Sequence, residues 1–161
     1  MRSRLLLLAL STAAAALGAC AMAPAIPGTL VTDTRENRQI IEVCEKYRRA
    51  LEDRDAEVLL SLASPTYFED SGTPKADDDY GYDGLKTILA TRLGALKAVR
   101  YNIQYRRVTL NQTGDHASID IRYDASYQLL TELGDRWERK QSDKRLELLN
   151  DNGRWLFLAG L

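Results

Sequence analysis

From Thr34 to Arg54 the run TRENRQIIEVCEKYRRALEDR sets Ile40, Cys44, Tyr47 and Leu51 at helical spacing, and Ile41 and Val43 widen the stripe. Charged residues fill the opposite face, and neither glycine nor proline interrupts the run. The pattern predicts one long helix with a single narrow apolar stripe. Such a helix does not hold its shape alone and must lie on another element. The strands after Arg100 are the expected support.

The remaining pattern divides into two halves. Asp55 is placed to cap a second helix, Ala56 to Ala63, with Val58, Leu59 and Leu62 on its apolar side, and Ser64-Pro65 ends it. Residues 66–69 read as a brief strand, and residues 70–84, DSGTPKADDDYGYDG, read as a loop. A third helix is expected from Gly84 to Ala98, capped by Asp83, with Leu85, Ile88, Leu89, Leu93 and Leu96 buried. Beyond it the period changes to two. Val99, Tyr101, Ile103 and Tyr105 alternate with polar residues, and the phase then shifts to Val108 and Leu110, as a bulge near Arg106-Arg107 would require. Residues 111–115 form a hairpin turn. Ala117, Ile119, Ile121, Tyr123, Ala125 and Tyr127 make the longest alternation, that of a central strand. A turn at residues 133–135 leads to a strand over Arg136 to Leu149, whose polar first half is exposed or at an edge. Leu146 and Leu148 rejoin the core, residues 151–153 turn, and Arg154 to Leu158 closes the sheet. Helices first and antiparallel strands afterwards make an α+β domain over residues 34–161.

The N-terminal segment changes the picture of where this domain works. Arg2 and Arg4 precede an apolar run, Leu5 to Leu17, of signal-peptide length. It ends in Leu17-Gly18-Ala19-Cys20, which resembles a bacterial lipobox. That resemblance implies removal of residues 1–19 and acylation of Cys20, followed by a tether over residues 20–33. Ala21, in place of aspartate, leans towards the outer membrane, with the domain facing the periplasm. Basic and acidic residues number 22 and 23, for a formal net charge of −1. That balance offers no basic face for nucleic acid. Besides Cys20 the chain holds only Cys44, on the apolar stripe, where a buried small hydrophobe is expected and not a reactive thiol.

The order of elements, with YRRALEDRDAEVLLSLASPTYFED at residues 47–70 and NDNGRWLFLAGL at residues 150–161, resembles the nuclear transport factor 2-like superfamily, which includes ketosteroid isomerase and SnoaL-type proteins. The resemblance spans nearly all of residues 34–161. It implies three N-terminal helices packed in a strongly curved antiparallel sheet, a cone-shaped α+β barrel with a pocket at its open end. Carried over from ketosteroid isomerase, Tyr47 falls where a first-helix tyrosine donates to an oxyanion, and Asp70 where the general base stands. The third position, a protonated acid in that enzyme, falls on the strand of Leu146 and Leu148, where alternation presents Lys144 or Ser142 and turns Asp143 away.

Two functions follow. One is a membrane-tethered, non-enzymatic binding or protein-interaction module, for a small molecule or a periplasmic protein. The other is an isomerase- or dehydratase-like enzyme with Asp70 as base and Tyr47 as donor, which requires both side chains in one cavity. Tyr47, Tyr67, Asp70, Tyr80, Tyr82, Tyr105, Tyr123 and Trp137 are the expected ligand or partner contacts, since tyrosine and tryptophan pair an apolar face with a polar handle. Tyr80 and Tyr82 flank Gly81 on the acidic loop and could close over the mouth. Arg106, Arg107 and Arg122 belong on a solvated outer face. Glu69, Asp70, Asp77, Asp78, Asp79 and Asp83 invite calcium, but an EF-hand spacing counted from Asp77 places Ile88 at the twelfth position, where a glutamate is needed. The single histidine, His116, follows a turn and is expected to be solvated. No metal and no cofactor are expected, and a homodimer through the sheet is left open.

Overall fold

The computed structural model describes residues 23–70, 78–132 and 134–161. Among the described residues three helices come first: α1 (Arg35–Asp53), α2 (Ala56–Leu62) and, after two short strands β1 (Phe68–Glu69) and β2 (Tyr80–Gly81), α3 (Tyr82–Gly94). Four longer strands follow: β3 (Leu96–Leu110), β4 (His116–Thr131), β5 (Gly134–Asp151) and β6 (Arg154–Ala159). They form one antiparallel sheet in the order β3-β4-β5-β6. This is the α+β arrangement read from the sequence.

Helix α1 keeps its expected limits because both ends are chemically closed. The Thr34 hydroxyl accepts the Asn37 N–H at 3.1 Å, and Arg54 turns left-handed at φ 57° so that its N–H returns to the Ala50 and Leu51 carbonyls. Ile40, Cys44 and Tyr47 are buried as the stripe predicts, while Leu51 is only half-buried. On the sheet, Ala117, Ile119, Ile121, Tyr123 and Ala125 of β4, with Leu146 and Leu148 of β5, share one core with that stripe. The expected bulge is present between Tyr105 and Arg107.

Strand β3 has a free edge, and α1 covers it. Glu52 Oε1 accepts the Tyr101 N–H at 2.9 Å. The Arg54 guanidinium donates to the Leu96 carbonyl at 2.7 Å. The Leu30 N–H donates to the Tyr105 carbonyl at 3.0 Å. Edge groups that would otherwise seek another strand are thereby satisfied within the chain. The last of these bonds involves a segment expected to be part of a tether. Residues 24–33 instead fold back on themselves, with an Ala25–Thr32 bridge, and bury Val31 in the core.

Three expectations need correction. Helix α3 starts at Tyr82 and stops at Gly94, and Leu96 and Ala98 pair with Leu129 and Gln128 of β4. Leu96 is in helical phase with Leu93, but cross-strand pairing outweighs that local spacing. The expected loop over residues 70–84 contains β2, which pairs with β1. Val58 is 41% exposed, because α2 is only two turns long and buries the Leu59–Leu62 side alone. Among the described residues no helix is long and apolar enough to cross a membrane. The leader and Cys20 lie outside the described residues, as does Leu133 of the expected turn.

Candidate functional site: a tyrosine-floored cavity under α3

Helix α3 crosses the sheet without filling the space beneath it. Between them lies a cavity of about 490 Å³. Leu85, Ile88, Leu89 and Leu93 of α3 form one wall. Tyr47 of α1, Tyr101 of β3, and Tyr123 and Tyr127 of β4 form the floor. Leu161, the last residue, closes one end, and the inner face of β5 contributes Glu138, Lys140 and Lys144. The floor is rigid. The Tyr101 and Tyr123 rings stack at 5.3 Å, and the Tyr47 ring meets Tyr101 edge-on at 5.9 Å. Burial holds the Tyr47 and Tyr101 phenols well above the usual tyrosine range, so both stay protonated into alkaline solution.

The end of the chain is held in place by a half-buried glutamate. Glu69 Oε2 accepts the Tyr67 hydroxyl and the Gly160 N–H, each at 2.7 Å, and the Tyr67 hydroxyl accepts the Leu161 N–H at 3.1 Å. Gly160 is required at this point. Its φ is +90°, and a Cβ there would lie 2.8 Å from the Arg145 carbonyl oxygen.

Of the residues expected at the site, Tyr47 and Tyr123 line this cavity. The others do not. Tyr67 is sealed in the core beside Glu69, with the half-buried Tyr80 ring 6.3 Å away. Tyr82 is half-buried in the first turn of α3 and is not part of the lining. Tyr105 is buried elsewhere on β3 and donates to Glu45 Oε1 at 2.8 Å. Trp137 is 46% exposed under the Arg100 guanidinium, 4.9 Å from its ring centre. Counting back by twos from Leu146, position 137 has the wrong parity to face inward. Asp70 is exposed and is not among the residues lining this cavity. His116 is exposed, with Nδ1 3.1 Å from Asp115. Among the described residues no three histidine, cysteine or acidic side chains could hold a metal ion, and Asp77 lies outside them. Cys44 is fully buried, and burial pushes its thiol far above the ordinary range.

Sequence reading missed Tyr101, Tyr127, Arg92 and Lys140 as cavity residues. The alternation that turned Lys144 inward also turns Lys140 and Glu138 inward, so that signal was available. The outer face behaves as expected. Asp120 bridges Arg107 and Arg145 at 2.7 and 2.8 Å, and Asp143 bridges Arg122 and Arg106 at 2.9 and 3.2 Å.

No family model and no curated protein matches the chain. Solved structures do. A protein of Kribbella flavida superposes with a TM-score of 0.64 at 16% identity, over 77% of this chain and 86% of its own. A nuclear transport factor 2-like superfamily protein from Salmonella enterica gives 0.61 at 11% identity, over 77% and 87%. The fold is the nuclear transport factor 2-like one. A ketosteroid isomerase-like protein from Erwinia carotovora atroseptica superposes at 0.62 with 14% identity, over 79% and 94% of the two chains. At such identities the likeness is one of fold. The nuclear transport factor 2-like fold seen here places its cavity on the side of the sheet that carries the helices.

Proposed function

We propose that this chain is a small-molecule-binding module whose ligand enters the cavity between α3 and the sheet, at the open end of a cone formed by the curved strands. The observation that carries this reading is a cavity of about 490 Å³ with an aromatic floor and an aliphatic wall. It falls within the roughly 300–1,000 Å³ typical of ligand pockets. Asp70, the base of an isomerase- or dehydratase-like reading, is exposed and is not among the residues lining this cavity.

The test uses N-phenyl-1-naphthylamine, a neutral probe whose emission rises in apolar surroundings. Wild-type protein is expected to bind it. Ile88→Trp, which pushes an indole into the cavity from a half-buried position on α3, is expected to weaken binding about tenfold or more while folding normally. Unchanged binding by a folded Ile88→Trp variant would overturn the reading.

The module is also proposed to act from a membrane, facing the periplasm and held by lipid on Cys20. The support is the Arg2/Arg4 head, the apolar run and Leu17-Gly18-Ala19-Cys20. Acyl chains contribute about 0.8 kcal/mol per buried methylene, so more than one chain anchors firmly. Cells fed a palmitate analogue should label the wild type and not Cys20→Ala. Equal labelling of the two contradicts the anchor.

A further inference from the structure

Lys144 occupies a position built for an apolar residue. On β5 it shares its face with Leu146 and Leu148, both fully buried, and its cross-strand partner is Ile121, 1% exposed. Burial pulls its ammonium below the ordinary lysine range. The Glu69 carboxylate opposes that shift, while Lys140 and Arg92 reinforce it. Glu69 is committed elsewhere, to the Tyr67 hydroxyl and the Gly160 N–H. Among the described residues Lys144 forms no ion pair, and neither do Lys140 and Arg92 at the cavity's rim. The one acid in the lining, Glu138, is engaged by Arg136.

The outer face of the same strands shows that this is not a general property of the sheet. There Arg106, Arg107, Arg122, Arg139 and Arg145 are each matched to Asp120, Asp124 or Asp143. Lys140 and Lys144, by contrast, stand on the cavity side of β5 with no acid matched to them among the described residues. A half-buried cation without an ion pair is unfavourable, and an anion that brings its own charge relieves that cost. Charge-assisted hydrogen bonds from an ammonium are also among the stronger polar contacts available to a ligand.

We propose that the cavity selects amphipathic anions: an aromatic or alicyclic body between the α3 leucines and the tyrosine floor, with a carboxylate or sulfonate seated on Lys144. Lys140 and Arg92 draw the anion to the rim, and Lys144 receives it. This inference rests on the proposed binding role of the same cavity and adds the charge of its ligand.

Two probes with one aromatic skeleton separate the two ideas. 8-Anilinonaphthalene-1-sulfonate carries the anion, and N-phenyl-1-naphthylamine lacks it. The wild type is expected to bind the sulfonate about ten- to a hundredfold more tightly than the neutral probe. Lys144→Met should erase that preference and leave the neutral probe bound. Lys144→Arg should retain it. The wild-type preference should fade as pH rises through the lowered titration of Lys144, while Lys144→Arg keeps it, because a guanidinium stays charged. The Arg92→Gln/Lys140→Gln double variant should lose part of the preference and gain sensitivity to Lys144→Met.

Equal wild-type affinity for the two probes, or a preference that survives Lys144→Met, overturns the selection of anions while leaving the binding site intact. Failure of both probes to bind, or binding that ignores Ile88→Trp, overturns the cavity itself and the anion proposal with it.

Discussion

Above about pH 10 the domain is expected to lose stability steeply, by about 1.4 kcal/mol per pH unit for each buried tyrosine. Tyr47, Tyr67, Tyr101 and Tyr105 are all at most 4% exposed. Burial raises the phenol of each above its unfolded value of 10.0. A group whose folded value is raised contributes stability that is fully present below its unfolded value. That stability is lost as pH climbs past it, because the unfolded chain sheds the proton and the folded one keeps it. Cys44 starts the decline at its unfolded value of 9.0 for the same reason. Lys144 acts in the opposite sense. Its folded value is lowered from 10.5, so it adds stability as pH rises towards that figure. One lysine does not offset four tyrosines and a cysteine. Urea midpoints measured from about pH 7 to about pH 11 should fall sharply in the last unit, with tyrosinate absorbance appearing together with unfolding. Midpoints that stay level to the end of that range would show that these phenols are not sealed.

Phe157→Ala is expected to destabilise the domain by about 3–5 kcal/mol. Phe157 is 0% exposed and its ring lies 5.4 Å from that of Tyr47. It stands opposite Leu148 on β5, and its carbonyl accepts the Ser64 N–H at 2.8 Å. That backbone bond survives the substitution, so the loss is that of the ring and of the packing around it. The void would open directly behind the cavity floor. A melting midpoint lowered by roughly 10 °C fits this position for a domain of this size. A drop of about a degree would mean that β6 is not part of the core. Ile88→Trp, on the α3 wall of the same cavity, should leave the midpoint nearly unchanged.

Much of this architecture was legible because local chemistry and tertiary demand agree. Asp55 caps α2 as read, and α1 begins where the run from Thr34 placed it. The alternation from Ala117 to Ala125 faces one way, and the phase shift after Tyr105 is a bulge. The parts that were not legible depend on partners distant in sequence. The end of α3 is decided by pairing of Leu96 with Leu129, and β2 exists only because β1 lies beside it. The folding of residues 24–33 depends on a free carbonyl at Tyr105. The site divides in the same way. Helical spacing turned Tyr47 inward, and strand parity did the same for Tyr123 and Lys144. It could not say where α3 would cross, and therefore that Tyr101 and Tyr127 line the opening while Tyr105 is tied to Glu45. Trp137 is the exception. Its outward parity was readable, and its aromatic character outweighed that signal in the reading.

The most direct test of the cavity's role is to locate a bound molecule by intermolecular nuclear Overhauser effects. Methyl-labelled protein saturated with N-phenyl-1-naphthylamine should show contacts from the ligand rings to Leu85, Ile88, Leu89 and Leu93 of α3, and to ring protons of Tyr101 and Tyr123. Contacts confined to exposed apolar residues such as Leu30 or Phe68, with none to those α3 methyls, would contradict the account.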